Sequence, residues 1–250
     1  MSQKIRQEQI LHILEERGFV TVRFLTNALH YSSATINRDL NAMQTLGLVK
    51  RSYGGVEGAK RDRALPLPLR QIYMKKEKRR NAEVAASLIE NGDTVFLDAS
   101  TSVQYMAPFL ADKKDLRVIT NSMLLATELA EYDFEVICLG GRIEERPHVL
   151  CSEETVENAA KYRPDKMFFS FIRVLSSGHV CTNGGYQYLL YRQLLKSSRQ
   201  CYLLTDHSKL AKDGDQVLCD FGELSGVISD LEFPEEVKKA YPNTRFICTT

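Results

Sequence analysis

The sequence has no apolar run as long as the roughly 18 residues that a membrane-spanning helix needs. Residues 1–8, MSQKIRQE, are polar and charged and lack the apolar core of a secretion signal. We therefore expect a cytoplasmic protein with no membrane role. With 250 residues, of which 44% are hydrophobic and 26% charged, the chain is long enough for two domains and a sizeable core.

The chain also lacks the spacings that mark metal sites, disulfides and common catalytic centres. It has no C-x-x-C pair, no histidine at ligand spacing from a cysteine, no P-loop and no nucleophile elbow. The cysteines are scattered, at Cys138, Cys151, Cys181, Cys201, Cys219 and Cys248. We expect buried free thiols in a reducing compartment, no metal, no cofactor and no enzymatic activity.

Little net charge is present, only +1 at pH 7, but it is unevenly distributed. Residues 1–63 carry ten Lys and Arg against six Asp and Glu, whereas the rest of the chain carries 23 against 26. A basic end is typical of a nucleic-acid-binding region. The charge pattern therefore predicts that any nucleic acid is contacted by the N-terminal part of the chain.

Residues 20–55 have the pattern of a helix-turn-helix followed by a basic hairpin. Residues 22–30 form the first helix, and Ser32 and Gly47 stand at the N-cap and just past the end of the second. Apolar residues fall on one face of the second helix, at Ile36, Leu40 and Met43. Its other face carries Ser33, Asn37, Arg38 and Asn41. The exposed N-terminal half of this helix carries Ser33, Thr35, Asn37 and Arg38, and a helix-turn-helix places this half in the major groove of DNA, where amide and guanidinium side chains read base edges.

The segment that follows predicts a two-stranded wing. Residues 48–52 form an apolar and basic strand, residues 53–55 a glycine turn, and Val56 begins the return strand. With a first helix over residues 2–17, this predicts a winged helix-turn-helix domain over residues 1–58. The candidate DNA-binding residues are Ser32, Ser33, Thr35, Asn37, Arg38, Lys50, Arg51, Tyr53 and Gly54. The alternative is a three-helix or partner-binding domain whose basic residues are only a solvated face.

Residues 59–74 are predicted to be a linker, because Pro66 and Pro68 disfavour a helix. From residue 75 onward, amphipathic helices alternate with apolar strands. The predicted strands are residues 94–98, 117–121, 135–139, 166–171, 201–206, 227–230 and 245–248. This alternation is typical of an α/β domain, here residues 75–250, with a mostly parallel sheet wrapped by helices. Such sheets bind ligands at the carboxyl ends of their strands.

Small polar and charged residues cluster where four of the predicted strands end. Asp98 is followed by Ser100, Thr101 and Ser102 at the start of a predicted helix over residues 101–111, an arrangement that favours an anion. The other clusters contain Asn121, then Gly140, Gly141 and Arg142, and finally Asp206, His207 and Lys209. Four clusters at successive strand ends predict one ligand crevice.

The motifs of the first domain resemble the DeoR family of bacterial transcription regulators. They are SSATINRDL at residues 32–40, LGLVKR at residues 46–51 and YGGV at residues 53–56. Members of that family usually have arginine where this chain has Asn37. Because asparagine pairs bidentately with adenine and arginine with guanine, the difference predicts an altered operator sequence.

The second domain resembles the DeoR sensor domain, which is related in fold to ribose-5-phosphate isomerase and binds phosphorylated sugars or related metabolites. The shared pieces are EK at residues 77–78, DASTS at 98–102, TNS at 120–122, LGG at 139–141 and DHSK at 206–209. The resemblance implies the effector-binding residues Asp98, Thr101, Ser102, Asn121, Gly140, Gly141 and Lys209, and the strand-end clusters add Ser100 and Arg142. Family members usually have glycine at Ser100, at Cys151 and near residues 170–172. Side chains there narrow the pocket, which allows a changed or lost effector.

Together these inferences predict a transcription regulator, expected to be a repressor, that binds a double-stranded DNA operator. We expect a homo-oligomer of at least two chains that responds to a phosphorylated sugar. One alternative is a sugar-phosphate isomerase-like enzyme with a DNA-binding appendage, in which Asp98, Asp206 and His207 act as acid and base. The other is a regulator whose second domain only oligomerises.

Overall fold

The structure, a computed structural model, describes residues 3–58, 67–144, 148–211, 214 and 216–250 and divides into two compact units, Met1–Tyr73 and Met74–Thr250. The helices of the first unit are α1 (Gln3–Arg17), α2 (Val22–Leu29), α3 (Ser33–Thr45) and α4 (Leu67–Ile72). Its strands are β1 (Phe19–Val20), β2 (Val49–Ser52) and β3 (Gly55–Gly58), in an antiparallel sheet ordered β1-β3-β2. The predicted helix-turn-helix and wing are confirmed.

Polar caps set the starts of α2 and α3, and an apolar core packs them together. The Thr21 hydroxyl accepts from the N–H of Phe24 at 3.1 Å, and the Ser32 hydroxyl accepts from the N–H of Thr35 at 3.2 Å. The side chains buried between the helices are Ile10, Leu25, Ile36, Leu40 and Met43. Each contributes about 2 kcal/mol by leaving water, so this small unit depends on nearly all of them.

One buried charge lies inside the first unit. Asp39 on α3 is 0% exposed and accepts two hydrogen bonds from the Arg6 guanidinium on α1, one of them at 3.1 Å. Hydrogen bonding to this carboxylate raises the pKa of Arg6. The pair ties α1 to the second helix of the helix-turn-helix, a contact that the sequence analysis did not identify.

A helix occupies part of the segment predicted to be a linker. Leu67–Ile72 forms α4, which contacts α1, and the two units divide after Tyr73 rather than at residues 58 and 75. Pro68 is compatible with this helix because it stands in the first turn, where no backbone donor is required. Residues 59–66 of the predicted linker lie outside the described residues.

The second unit alternates helices with strands. Its helices are α5 (Lys75–Ser87), α6 (Thr101–Gln104), α7 (Met123–Leu129), α8 (Glu153–Ala159), α9 (Gly185–Ser197) and α10 (Glu235–Ala240). Its strands are β4 (Thr94–Leu97), β5 (Arg117–Thr120), β6 (Glu135–Cys138), β7 (Lys166–Phe169), β8 (Arg173–Leu175), β9 (His179–Thr182), β10 (Gln200–Leu204), β11 (Leu210–Ala211), β12 (Gln216–Asp220), β13 (Gly226–Ser229) and β14 (Arg245–Cys248). A parallel sheet of seven strands has the order β14-β13-β10-β7-β4-β5-β6, and every one of these strands was predicted.

Both faces of the parallel sheet are covered, which explains why its strands are continuous apolar runs. Phe168 on β7 belongs to the core on one face together with Leu97, and its neighbour Phe169 belongs to the core on the other face together with Phe96. The order of the chain reverses beside β4, since β5 and β6 lie on one side of it and β7 on the other. Open α/β sheets bind ligands at such a switch point.

Two features of the second unit differ from the prediction. A second sheet, ordered β11-β8-β9-β12, was not predicted, because its strands have only two to five residues and include polar residues such as His179 and Gln216. The predicted helix over residues 101–111 is interrupted, since α6 ends at Gln104 and Ala107–Phe109 is a separate 3-10 helix that contains Pro108.

The cysteines follow the layout of the sheet. Four are buried as expected, at Cys151, Cys181, Cys201 and Cys219. Cys138 is exposed and Cys248 half-buried, contrary to expectation, because β6 and β14 are the edge strands of the parallel sheet. Within the described ranges, no group of three or more His, Cys, Asp and Glu side chains is placed to hold a metal ion. No helix among those residues is long and apolar enough to cross a membrane.

Candidate functional site

The polar face of α3 carries most of the side chains predicted to read DNA. Ser33 and Arg38 are exposed on this helix, as is the Ser32 cap that precedes it. Thr35 and Asn37 are half-buried. The first residues of such a helix are the ones that contact base edges in DNA-binding helix-turn-helix domains. The predicted reading surface is therefore accessible within the first unit.

A hydrogen-bonded network joins α3 to the wing. The Arg51 guanidinium donates from Nη2 to Oδ1 of Asn37 and from Nη1 to Oδ1 of Asn41, each at 2.6 Å. The Nδ2 of Asn37 donates to the carbonyl of Ser33 at 2.8 Å. Arg51 was expected beside DNA phosphates, and the structure places it against α3 instead. Asn41, which was not among the predicted DNA-binding residues, belongs to the same network.

The wing presents its remaining side chains to solvent. Lys50 is exposed and lies 3.8 Å, Nζ to Oε1, from Glu57 on the opposite strand. Tyr53 is fully exposed beside Gly54, whose φ of +89° L side chains rarely adopt. A Cβ on Gly55 would lie 2.3 Å from the ring of Phe19, so glycine is required where β3 meets β1. The wing is thus a rigid hairpin with Lys50 and Tyr53 on its surface.

At the switch point of the parallel sheet, Asp98 holds the ends of β4 and β7 together. Its carboxylate is 1% exposed and accepts from the N–H of Ser100 at 2.9 Å, the N–H of Ser170 at 3.0 Å and the hydroxyl of Tyr191 at 2.9 Å. Burial raises the pKa of Asp98, and these hydrogen bonds oppose the rise. Because these partners are protein groups, Asp98 positions the strand ends around the crevice.

Lys209 lies over the same strand ends. Its Nζ donates to the hydroxyls of Ser102 and Ser170, each at 2.7 Å, and lies 3.3 Å from Oδ2 of Asp206. Burial alone would raise the pKa of Asp206, but Lys209, the Ser208 hydroxyl and Lys78 hold that pKa below its ordinary value. Ser170 stands where relatives were expected to have glycine, and its hydroxyl is a partner of the lysine.

A second cation at these strand ends, the buried Lys78 on α5, was not among the predicted effector residues. Lys78 is 4% exposed and its Nζ donates to the hydroxyl of Thr101 at 3.2 Å. It shares the buried face of α5 with Ala82 and Ala85. That helical spacing was the signal in the sequence that this lysine, unlike its exposed neighbours in the basic run over residues 75–80, lies inward.

The ammonium groups of Lys78 and Lys209 therefore both donate hydrogen bonds to serine or threonine hydroxyls at one edge of the sheet. We call this set the two-lysine site, and it consists of Lys78, Thr101, Ser102, Ser170 and Lys209. The ammonium groups of Lys78 and Lys209 both act on the carboxylate of Asp206, and Asp98 is a second carboxyl group at these strand ends. Two ammonium groups beside hydroxyl donors suit a phosphate group. The helix after β4 is one turn of four residues, so its dipole contributes little to that preference.

Asn121 and the glycines form a second hydrogen-bonded group, beside β5 and β6. The Nδ2 of Asn121 donates to the carbonyl of Leu150 at 3.2 Å, and the hydroxyl of Thr155 donates to the carbonyl of Gly140 at 2.8 Å. Gly141 has a φ of +104°, and a Cβ there would lie 2.2 Å from the hydroxyl oxygen of Thr155. Close packing against Thr155 thus explains Gly141, and a φ of +71° explains Gly140, without a ligand.

Arg142 and Cys151 lie in the same region. Arg142 is exposed, and its N–H donates to the hydroxyl of Ser152 at 3.1 Å. The prediction placed it as a fixed cation in the crevice, whereas the cations that bond to hydroxyls at the switch point are the two lysines of the two-lysine site. Cys151 stands where the resemblance led us to expect glycine, and burial raises the pKa of its thiol to about 12.

His207 pairs with Asp230 beside the end of β10. Its Nδ1 lies 2.5 Å from Oδ2 of Asp230, and its N–H donates to the other carboxylate oxygen at 2.9 Å. Asp98 and Asp206 are likewise hydrogen-bonded within the protein. The three residues considered as the acid and base of an enzyme thus each have a structural partner.

A winged helix-turn-helix with an exposed polar helix face, followed by an α/β domain with a cationic site at its switch point, defines a transcription regulator of the ligand-sensing class. Residues 6–62 match the DeoR-like helix-turn-helix domain, and residues 74–231 match the DeoR C terminal sensor domain. The chain belongs to the DeoR family of transcription regulators.

Curated relatives are similar over nearly the whole chain. The glycerol-3-phosphate regulon repressor of Haemophilus influenzae is 28% identical over 228 residues, which are 91% of this chain and 88% of that protein. The lactose phosphotransferase system repressor of Staphylococcus aureus is 28% identical over 243 residues, 95% of this chain and 96% of that protein. These relatives are regulators, and this chain is a transcription regulator and not an enzyme.

Solved structures resemble the fold only in part. D-ribose-5-phosphate isomerase in complex with phospho-erythronic acid covers 55% of each chain, with a TM-score of 0.42 and 14% identity. The eIF2B beta subunit from Chaetomium thermophilum covers 88% of this chain and 65% of that one, with a TM-score of 0.49 and 14% identity. Likenesses at this level carry no inference about function.

Proposed function

We propose that the chain is a repressor that binds its operator through α3 and the wing, and that a phosphorylated sugar at the two-lysine site alters this binding. The relatives named as repressors of a glycerol-3-phosphate regulon and of a lactose phosphotransferase system support both the direction of control and the effector class. The observation that carries the effector proposal is the pair of ammonium groups, of the buried Lys78 and the half-buried Lys209, bonded to hydroxyls at the switch point.

Operator binding is proposed to require a homo-oligomer. A single winged helix inserts one short helix, here with Ser33, Asn37 and Arg38 on its accessible face, and this is too few base contacts for a unique genomic site. Two or more chains that read repeated half-sites supply the missing specificity. A regulator of this kind acts on DNA in the bacterial cytoplasm, which is where we place it.

An effector changes operator binding only if it binds two arrangements of the protein with different affinity. To lower the population of the DNA-binding arrangement from 99% to 1%, the effector must bind the other arrangement more tightly by about 5.5 kcal/mol. Hydrogen bonds to charged groups contribute about 1.5–3 kcal/mol each. A phosphate that bonds Lys209 and Lys78 makes two to four such bonds, about 3–12 kcal/mol in total, and the shift requires that about 5.5 kcal/mol of this be present in one arrangement only.

The DNA-binding part is tested with duplex DNA from upstream of the neighbouring genes, by gel shift or fluorescence anisotropy between 50 and 200 mM salt, about the range over which phosphate contacts dominate. We expect specific binding whose affinity falls steeply as salt rises, because Lys and Arg release counterions from the phosphates. Binding that is absent, or that does not change with salt, contradicts the proposal.

The effector part is tested by thermal melting with a panel of sugar phosphates and the matching free sugars. A phosphate ester at about 100 times its Kd stabilises the protein by about 2.7 kcal/mol and raises Tm, whereas the free sugar does not. Lys78→Met is expected to lose this response. If no phosphate ester raises Tm while light scattering shows an oligomer, the second domain only oligomerises.

A further inference from the structure

The carboxamide of Asn37 is held in one orientation by two hydrogen bonds. Its Nδ2 donates to the carbonyl of Ser33 at 2.8 Å, and its Oδ1 accepts from Nη2 of Arg51 at 2.6 Å. A flipped amide would place an amino group against the guanidinium and the carbonyl oxygen against another carbonyl, so both bonds would be lost. The oxygen of Asn37 therefore faces Arg51.

Asn41 is oriented by the same guanidinium. Its Oδ1 accepts from Nη1 of Arg51 at 2.6 Å. Because the guanidinium has donors and no acceptor, the atom that faces it is the oxygen, and Nδ2 is directed away from Arg51. Asn37 and Asn41 are four residues apart and so lie on one face of α3. A single arginine of the wing thus fixes two neighbouring carboxamides of the reading helix.

This arrangement changes what the asparagines can read. Asparagine recognises adenine by accepting from the N6 amino group with Oδ1 while donating to N7 with Nδ2. Here each Oδ1 already holds a cationic donor, and an adenine amino group that approached it would meet the positive charge of Arg51. What Asn37 and Asn41 offer outward is N–H. With Arg38 exposed beside them, the groups that these three side chains direct outward are hydrogen-bond donors.

We propose that Arg51 is a specificity-determining residue that converts Asn37 and Asn41 from readers of adenine into readers of guanine. Guanine presents two acceptors, N7 and O6, on its major-groove edge, which matches a surface of donors. This inference rests on the proposed operator binding through α3. It reverses the adenine preference that Asn37 alone suggested, because the preference depends on a contact made from the wing.

The test is selection of bound duplexes from a randomised library, followed by sequencing, with the full-length chain. Asn37→Ala and Asn41→Ala locate the base pairs that these side chains read, since the preference relaxes there. At those positions we expect the wild type to select guanine. In Arg51→Met, which keeps the aliphatic stem but removes the donors, the ratio of adenine to guanine is expected to rise about tenfold or more.

Lys50→Met is the matched control, because Lys50 is the neighbouring wing cation and pairs with Glu57 rather than with α3. It is expected to lower affinity for all sequences without changing the selected base. Adenine at the located positions in the wild type, or an unchanged base preference in Arg51→Met, overturns the inference. Should Arg51→Met unfold on heating below the assay temperature, Arg51→Lys is used, and it is expected to show the same shift in smaller degree. Failure of the wild type to bind any duplex would instead contradict the proposed function.

Discussion

Replacing Lys209 by methionine tests whether the two-lysine site depends on the ion pair with Asp206. Nζ of Lys209 lies 3.3 Å from Oδ2 of Asp206, a residue that is 0% exposed. Methionine keeps the length of the side chain but removes the ammonium group, and it leaves Lys78 as the other cation that acts on the carboxylate. Removing one partner of a buried ion pair costs about 3–5 kcal/mol, a large part of the 5–15 kcal/mol that keeps a typical domain folded.

Protonation of Asp206 sets an upper bound on this cost. At pH 7, protonating a carboxyl group whose ordinary pKa is about 3.9 costs about 4 kcal/mol, and at pH 5 it costs about 1.5 kcal/mol. We therefore expect the stranded carboxylate in Lys209→Met to lower the free energy of unfolding by about 2–4 kcal/mol at pH 7 and by about 1.5 kcal/mol at pH 5. The lost hydrogen bonds to Ser102 and Ser170 add a cost that is the same at both pH values. The effect shrinks at low pH because the stranded carboxyl group takes up a proton.

Urea denaturation at both pH values, followed by circular dichroism, measures the two effects. The exposed Lys114→Met is the control and is expected to change the free energy of unfolding by less than about 0.5 kcal/mol. Adding Asp206→Asn to Lys209→Met removes the stranded charge and should restore part of the loss. A loss below about 1 kcal/mol at pH 7, or one of equal size at pH 5, would refute this reasoning.

Arg38→Ala is expected to weaken operator binding about tenfold or more in fluorescence anisotropy without lowering Tm, because its exposed guanidinium contacts DNA and not the core; unchanged affinity would remove Arg38 from the reading surface. Gly141→Ala should cost more than the ~1–3 kcal/mol of its positive φ, since its Cβ meets Thr155 at 2.2 Å. Gly92→Ala is the control, because Gly92 has a φ of +83° but open space around it, so only the cost of the backbone conformation remains. If both substitutions lower the free energy of unfolding equally in chemical denaturation, the contact with Thr155 adds no cost. Burial raises the pKa of Asp98, so the folded protein holds this proton more tightly than the unfolded chain does. The free energy of unfolding of the wild type, relative to that of Asp98→Asn, should therefore fall as pH rises from below the ordinary carboxyl pKa through the raised one. If chemical denaturation shows that this difference in the free energy of unfolding grows as pH rises, the pKa of Asp98 is not raised.

The parallel sheet was predictable because strands that are buried on both faces appear in the sequence as continuous apolar runs. Runs such as VFL at residues 95–97 and MFF at residues 167–169 are apolar without alternation, as strands covered on both faces must be. The second sheet, ordered β11-β8-β9-β12, has no such pattern in its sequence. Its β8 and β11 have three and two residues, and β11 is a strand because it pairs with β8, which lies far from it along the chain.

The candidate sites were predictable to the extent that they depend on local spacing. The cap at Ser32 and the polar face of α3 follow from helical periodicity, and both are present. The partner of Asn37 does not follow from it, because Arg51 lies fourteen residues away on another element. The same holds for Lys209, whose hydroxyl partners Ser102 and Ser170 come from the ends of two other strands.

The buried pair of Arg6 and Asp39 limits how this reading helix can be moved between proteins. Asp39 lies between Arg38 on the accessible face and Leu40 in the core, so residues 33–45 cannot be transplanted as an isolated cassette. A recipient without an arginine at the matching place in its first helix would enclose a carboxylate with no counter-ion, at a loss of about 3–5 kcal/mol. Chimeric regulators that exchange operator preference should therefore carry α1 and α3 together, with the wing that orients Asn37.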